Sequence, residues 1–130
     1  MYIRPGTKLE QILNNVVKGN YDSMLIKVTD TLSTIWLYDN GSRQPIYKNT
    51  YMHNSQTGVL FTLLRENVVS LPFVKNLTIN YSDQNFHIFV GEIQRLFPNL
   101  EKLTTPSNNF YETIELNYKT LGRKIMFNVS

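Results

Sequence analysis

The sequence predicts a single α/β domain over residues 1–130, and three observations predict it. Of the 130 residues, 42% are hydrophobic and 18% charged, which suits one closed core and argues against a disordered chain. Segments with the helical period alternate with short β-branched and aromatic runs. Two of the helical segments pass through a proline directly into such a run, as helices laid against a partly parallel sheet do. The expectation is about three helices and six or seven short strands, in helix-to-strand units with terminal hairpins.

The first helix is marked by Pro5-Gly6 as a break, Thr7 as a cap and Glu10 three residues on, a capping box. Leu9, Ile12, Leu13, Val16 and Val17 follow the helical period, and Gly19-Asn20 ends it at about residue 18. Met24–Val28 and Thr34–Tyr38 read as strands. Asp39-Asn40-Gly41-Ser42 is a turn signal, Asn-Gly tolerating positive φ at both central positions. Pro45–Met52 is the partner strand, and Asn54-Ser55-Gln56 a loop.

A second helix is expected over Gly58–Asn67 through Val59, Leu60, Leu63 and Leu64. Asn76–Tyr81 is a strand. Ser82 or Asp83 can cap a third helix, with Phe86, Phe89, Val90, Ile93, Leu96 and Phe97 as its apolar stripe. Lys102–Thr105 is a short strand expected to lie parallel to Asn76–Tyr81. The C-terminal segment reads as a hairpin: Glu112–Tyr118, a turn at Lys119–Gly122, then Lys124–Val129.

Two segments echo each other at a spacing of 26. Leu71-Pro72-Phe73-Val74-Lys75-Asn76-Leu77-Thr78 and Phe97-Pro98-Asn99-Leu100-Glu101-Lys102-Leu103-Thr104 share the pattern apolar-Pro-x-apolar-x-x-Leu-Thr. This junction, with the strand Leu77–Tyr81, resembles leucine-rich repeats of the long-helix type found beside F-boxes. The resemblance covers residues 57–105. It implies that Leu77 and Ile79 face a core, that Thr78 and Asn80 face a concave surface, and that helices cover the convex side. The chain departs from the family in having two clear units, in Thr105 where the second strand should be apolar, and in its hairpins. An ordinary α/β domain with two similar helix-to-strand turns also accounts for the echo.

Composition bounds the setting. Asn occurs 15 times, Ile 10 and Tyr 8, while Ala is absent. These residues follow AT-rich codons, so an AT-rich genome is expected, a virus among the fitting sources. Zero Cys excludes disulfides and thiol chemistry. With no apolar run near the ~18 residues of a span, the expected location is cytoplasmic, with no membrane partner. Four sequons, at Asn40, Asn76, Asn80 and Asn128, are about two more than chance gives and weak grounds for secretion.

No nucleophile elbow, P-loop, dinucleotide-binding or metalloprotease motif occurs. His53 and His87 stand alone in sequence. Glu112 and Glu115, on a strand, would point to opposite faces and could not share a substrate. The expectation is therefore a non-enzyme without cofactor or metal. Trp36 and Tyr38 alternate with Ile35 and Leu37, so one pair faces the core and the other the opposite face.

An exposed Trp36–Tyr38 pair, beside Tyr47 and Tyr51, resembles a protein-binding hot spot. The candidate partner surface is Trp36, Tyr38, Thr78, Asn80 and Thr104, and the leading function is a protein–protein interaction module, such as a viral accessory protein binding a host factor. One alternative is a small protein that stacks single-stranded nucleic acid on these aromatics, with Lys27, Arg43 and Lys48 near its backbone. Nucleic acid is not favoured, because the net charge is only +3 and the cations are dispersed. A structural or oligomerising subunit is a third reading, and the oligomeric state is open. Aromatics buried between two covered faces would replace all three.

Overall fold

Leu9, Ile12 and Val16 form the buried stripe of the first helix, α1 (Lys8–Val17). The computed structural model describes residues 6–29, 31–52, 60–81 and 86–130, without the side chains of 86–89. Thr7 Oγ1 accepts from the Glu10 amide at 3.3 Å, as a capping box requires. The Glu10 carboxylate reaches one residue further back than expected and accepts from Gly6 N at 2.9 Å. Gly19 then takes φ +78°, and a Cβ there would lie 3.3 Å from the Phe73 ring. Both the backbone sign and the close approach favour glycine.

Three strands follow: β1 (Ser23–Val28), β2 (Leu32–Tyr38) and β3 (Tyr47–Met52). β1 pairs antiparallel with β2, and β2 with β3. The Asn40-Gly41 signal does separate β2 from β3, but only Gly41 has positive φ, at +73°. The connection is a longer loop rather than a two-residue turn, with Ser42 N donating to Asp39 O at 2.8 Å. Pro45 sits in this loop, and the strand begins at Tyr47.

The second half is built of helix-to-strand units: α2 (Leu60–Asn67), β4 (Asn76–Tyr81), α3 (Phe86–Leu96), β5 (Lys102–Thr105), α4 (Tyr111–Lys119) and β6 (Met126–Val129). Strand order in the six-stranded sheet is β3-β2-β1-β4-β5-β6. β1, β4, β5 and β6 are parallel neighbours. The expected parallel pairing of 76–81 with 102–105 is thus present, with Leu77 opposite Leu103 and Thr78 opposite Thr104.

The 26-residue echo has a hydrogen-bonded counterpart. Val74 N donates to Leu71 O, and Leu100 N to Phe97 O, the same turn one unit later. Lys75 and Asn76 amides share Asp22 O, and Glu101 and Lys102 amides share Lys75 O. The Asn99 side chain donates to Pro72 O at 2.9 Å, fastening the second junction to the first.

The expected C-terminal hairpin is not formed. Residues 111–119 are helical, and 126–129 run parallel to β5. Ile114, Leu116 and Tyr118 mimic the period of a strand, but Leu116 is 56% exposed whereas Ile114 and Tyr118 are buried. The buried pair is four residues apart, which is the helical spacing. Glu112 and Glu115 therefore lie on one side of a helix rather than on opposite faces of a strand. The described chain has four helices and six strands, against about three helices and six or seven strands expected.

One core joins all these elements. Met24, Ile26, Val28, Ile35, Leu37, Leu77, Ile79 and Leu103 are buried from the sheet, and Ile93 and Leu96 from α3. Val90 and Phe97 belong to it as expected, while the side chains of Phe86 and Phe89 lie outside the described residues. So do the Ser82–Asp83 cap, the 54–56 loop and the Gly58–Val59 helix start. Thr105, where an apolar residue belongs, is buried. Its hydroxyl reaches Ser107 O and, at 2.8 Å, the Tyr111 hydroxyl, which donates to Asn128 O at 2.6 Å. The polar atom is satisfied, so the substitution does not break the core. No described helix is long and apolar enough to cross a membrane.

Candidate functional site

Side chains alternate across a strand, so the buried set defines the sheet's other face. Every buried strand residue projects to one side, where the helices pack. Ser23, Leu25 and Lys27 of β1, and Leu32, Thr34, Trp36 and Tyr38 of β2, project to the other. None of them is buried. The face is not covered by any described helix.

Register places its residues in rows across the strands. Lys48, Trp36, Leu25, Thr78, Thr104 and Asn128 form one continuous row. Thr50, Thr34, Lys27 and Asn80 form the next. Tyr38, Ser23, Asn76, Lys102 and Met126 form the row on the other side. Trp36, Tyr38, Thr78, Asn80 and Thr104 therefore share one face. Asn80 is exposed and the other four are half-buried.

Tyr47 and Tyr51 are not part of this surface. They pair with Leu37 and Ser33, on the helix side, and pack against the core. One residue of phase decides it: β3 begins so that Lys48 and Thr50, rather than the tyrosines, stand beside Trp36 and Thr34. From the sequence Lys48 is expected near a ligand backbone; its contact with Trp36 is a finding of the structure. Its ammonium lies 5.3 Å from the centroid of that ring, a cation–π arrangement. Lys27 lies on the same face, whereas Arg43 is exposed in the β2–β3 loop.

Among the described residues the face is electrostatically one-sided. Lys27, Lys48 and Lys102 project from it, and no strand contains Asp or Glu. Among the described residues the strand-flanking acids, Asp22, Asp39 and Glu101, sit at the end of the sheet where β1 and β5 begin and β2 ends. The Thr34 and Thr50 hydroxyls are 3.1 Å apart and bonded to each other. With Lys27, Leu32, Trp36 and Lys48 they line a shallow hollow of about 230 Å³. The alternation of apolar and polar residues in β1 and β2 carries this surface in the sequence, and Lys27 and Lys48 are expected near it; the contact of Lys48 with the Trp36 ring depends on pairing between strands distant in the chain.

Other chemistry is sparse. Among the described residues no three His, Asp or Glu converge as metal ligands. Glu112 and Glu115 are both exposed, and His53 and the His87 side chain lie outside the described residues.

No family model matches the chain, and no curated protein matches it. Among solved structures, one from Bacteroides thetaiotaomicron VPI-5482, a protein with an actin-like ATPase fold and unknown function, is similar over 82% of this chain at 14% identity and a TM-score of 0.42. This chain spans 41% of that protein's length.

Proposed function

We propose that the protein is a non-enzymatic protein–protein interaction module that binds through the uncovered face of its sheet. One observation carries the reading: helices cover a single face, and the other presents Trp36 and Tyr38 among Leu25, Thr34, Thr78 and Thr104. Large aromatics on an uncovered face are the usual anchors of a protein interface. They bury much area for little lost rotamer freedom. Thr78 and Thr104 of this face stand on the parallel helix-to-strand units whose junctions resemble leucine-rich repeats. The test is a Trp36→Ala/Tyr38→Ala double variant. It keeps its circular dichroism spectrum and loses the protein partners that the parent retains on an affinity matrix. Recovery of the same partners by both proteins overturns the reading.

A second reading rests on the three lysines of this face. Single-stranded nucleic acid could stack on Trp36 and Tyr38 with its phosphates near Lys27 and Lys48. Two such contacts predict a log–log salt slope of roughly −1.4 for a single strand. A dT oligonucleotide bound with that slope at physiological salt would favour it over the protein partner.

A further inference from the structure

We infer that the Lys27–Trp36–Lys48 end of the open face is a subsite for carboxylates, and that its occupant is an extended acidic segment of a protein partner. The inference rests on the proposal that this face binds protein, and names the chemistry of what it binds. Two ammonium groups line one hollow of about 230 Å³. Neither has a carboxylate partner among the described residues; the ion pair found there joins Arg95 and Glu92 elsewhere. Lys48 is held over the Trp36 ring, so its charge is positioned before any ligand arrives. Thr34 and Thr50 satisfy one another with a single proton, which leaves one hydroxyl hydrogen to offer outward.

Geometry points to an extended chain. Lys27 and Lys48 lie on strands separated by β2 and are offset by two residues along the sheet. That places their Cα atoms roughly 12 Å apart, from strand spacings of about 4.8 Å and rises of about 3.4 Å. Both lysines line the hollow, and side chains of their length can reach over it to two carboxylates ~7 Å apart, the spacing of residues i and i+2 of an extended strand, which project to the same side. Two carboxylates in the order acid-x-acid match it. Beyond the lysines the face ends on Leu32, which pairs with Met52, and Met52 is 74% exposed. An apolar residue following the acids covers this pair, whereas a phosphate backbone leaves it in water. That favours an acidic peptide over nucleic acid.

The experiment uses the full chain and three fluorescein-labelled probes: a peptide with the repeat Glu-Gly-Glu-Gly-Leu, its Gln-for-Glu counterpart, and a ten-residue dT oligonucleotide. Anisotropy is expected to show the acidic peptide binding at least tenfold more tightly than the other two. Lys27→Gln/Lys48→Gln removes that preference, while Lys124→Gln, in the connection between α4 and β6, keeps it. Tighter binding of the oligonucleotide, equal binding of the two peptides, or no binding of any probe overturns the inference. The double lysine variant is also put through the partner-recovery assay. If it retains the partners that Trp36→Ala/Tyr38→Ala loses, the face is right and the carboxylate subsite is wrong; if neither variant loses them, the face itself is wrong.

Discussion

The Tyr118 hydroxyl donates to the carbonyl of Phe97 at 2.6 Å, with Ile93 O at 3.3 Å. It ties α4 to the C-terminal end of α3, at the Phe97 carbonyl just beyond the helix; Ile93 O also accepts from Phe97 N at 2.8 Å. Tyr21 does the same for α1, donating to Val16 O at 2.7 Å. Both side chains are buried, and burial pushes both phenols well above their ordinary range, Arg123 opposing it slightly at Tyr118.

An alkaline limb of instability follows. The folded-state values are raised, so the stabilisation is complete below the unfolded value of about 10 and is lost as pH rises above it. Each tyrosine contributes a slope of about 1.4 kcal/mol per pH unit in that window. Tyr21→Phe/Tyr118→Phe should cost about 1–2 kcal/mol per hydroxyl at pH 7 through the lost hydrogen bonds. It should also flatten the fall in urea midpoint between about pH 10 and 12. Equal slopes in parent and variant would show that the phenols ionise freely in the folded protein.

Arg95 acts on a second helix end. Its guanidinium donates to Arg65 O, Val68 O and Val69 O, 2.9, 2.9 and 2.7 Å away, at the C-terminus of α2. It also pairs with Glu92 at 2.6 Å, with both side chains partly exposed. The carbonyl contacts should dominate. Arg95→Met is expected to lower stability by about 1–2 kcal/mol, and Glu92→Gln by less than about 1 kcal/mol. Chemical denaturation of both variants checks the order; the reverse order would make the ion pair the important contact.

How much could be read in the sequence depended on whether a signal was local. Thr7 and Glu10 announce α1, and Leu77 and Ile79 announce the buried face of β4, because cap and period are contained in a few residues. Trp36 and Tyr38 could be set against Ile35 and Leu37 by alternation alone. The side of Tyr47 and Tyr51 could not, because it depends on the pairing of Tyr47 with Leu37 across a loop. The ring contact of Lys48 was hidden for the same reason. Glu112–Tyr118 reads as a strand because Ile114, Leu116 and Tyr118 satisfy a period of two, while Ile114 and Tyr118 also satisfy the helical one. Tertiary packing chose between them, and left Leu116 outside.

That choice can be measured. In the helix, Ile114 is core and Leu116 is not. Ile114→Ala should cost about 2–5 kcal/mol, and Leu116→Ala within about 0.5 kcal/mol. A hairpin would put both on one face and make the losses similar. Equal shifts in denaturant midpoint would return this segment to a strand.

Trp36 is the chain's single tryptophan, so its fluorescence reports on the open face without interference. It is half-buried, outside the core cluster, with the Lys48 ammonium 5.3 Å from its ring centroid. A fixed positive charge raises the local concentration of anions and lowers that of cations. Iodide should therefore quench Trp36 more strongly than caesium, by roughly two-fold at ionic strengths where the Debye length is about 10 Å. Lys48→Glu should reverse the order without unfolding the protein, since Lys48 is exposed. Raising salt should bring the two quenchers together in the parent. Quenching by neither ion would place Trp36 in a closed core. Equal quenching by both, unchanged in Lys48→Glu, would detach the lysine from the ring and remove the charged end of the proposed binding surface.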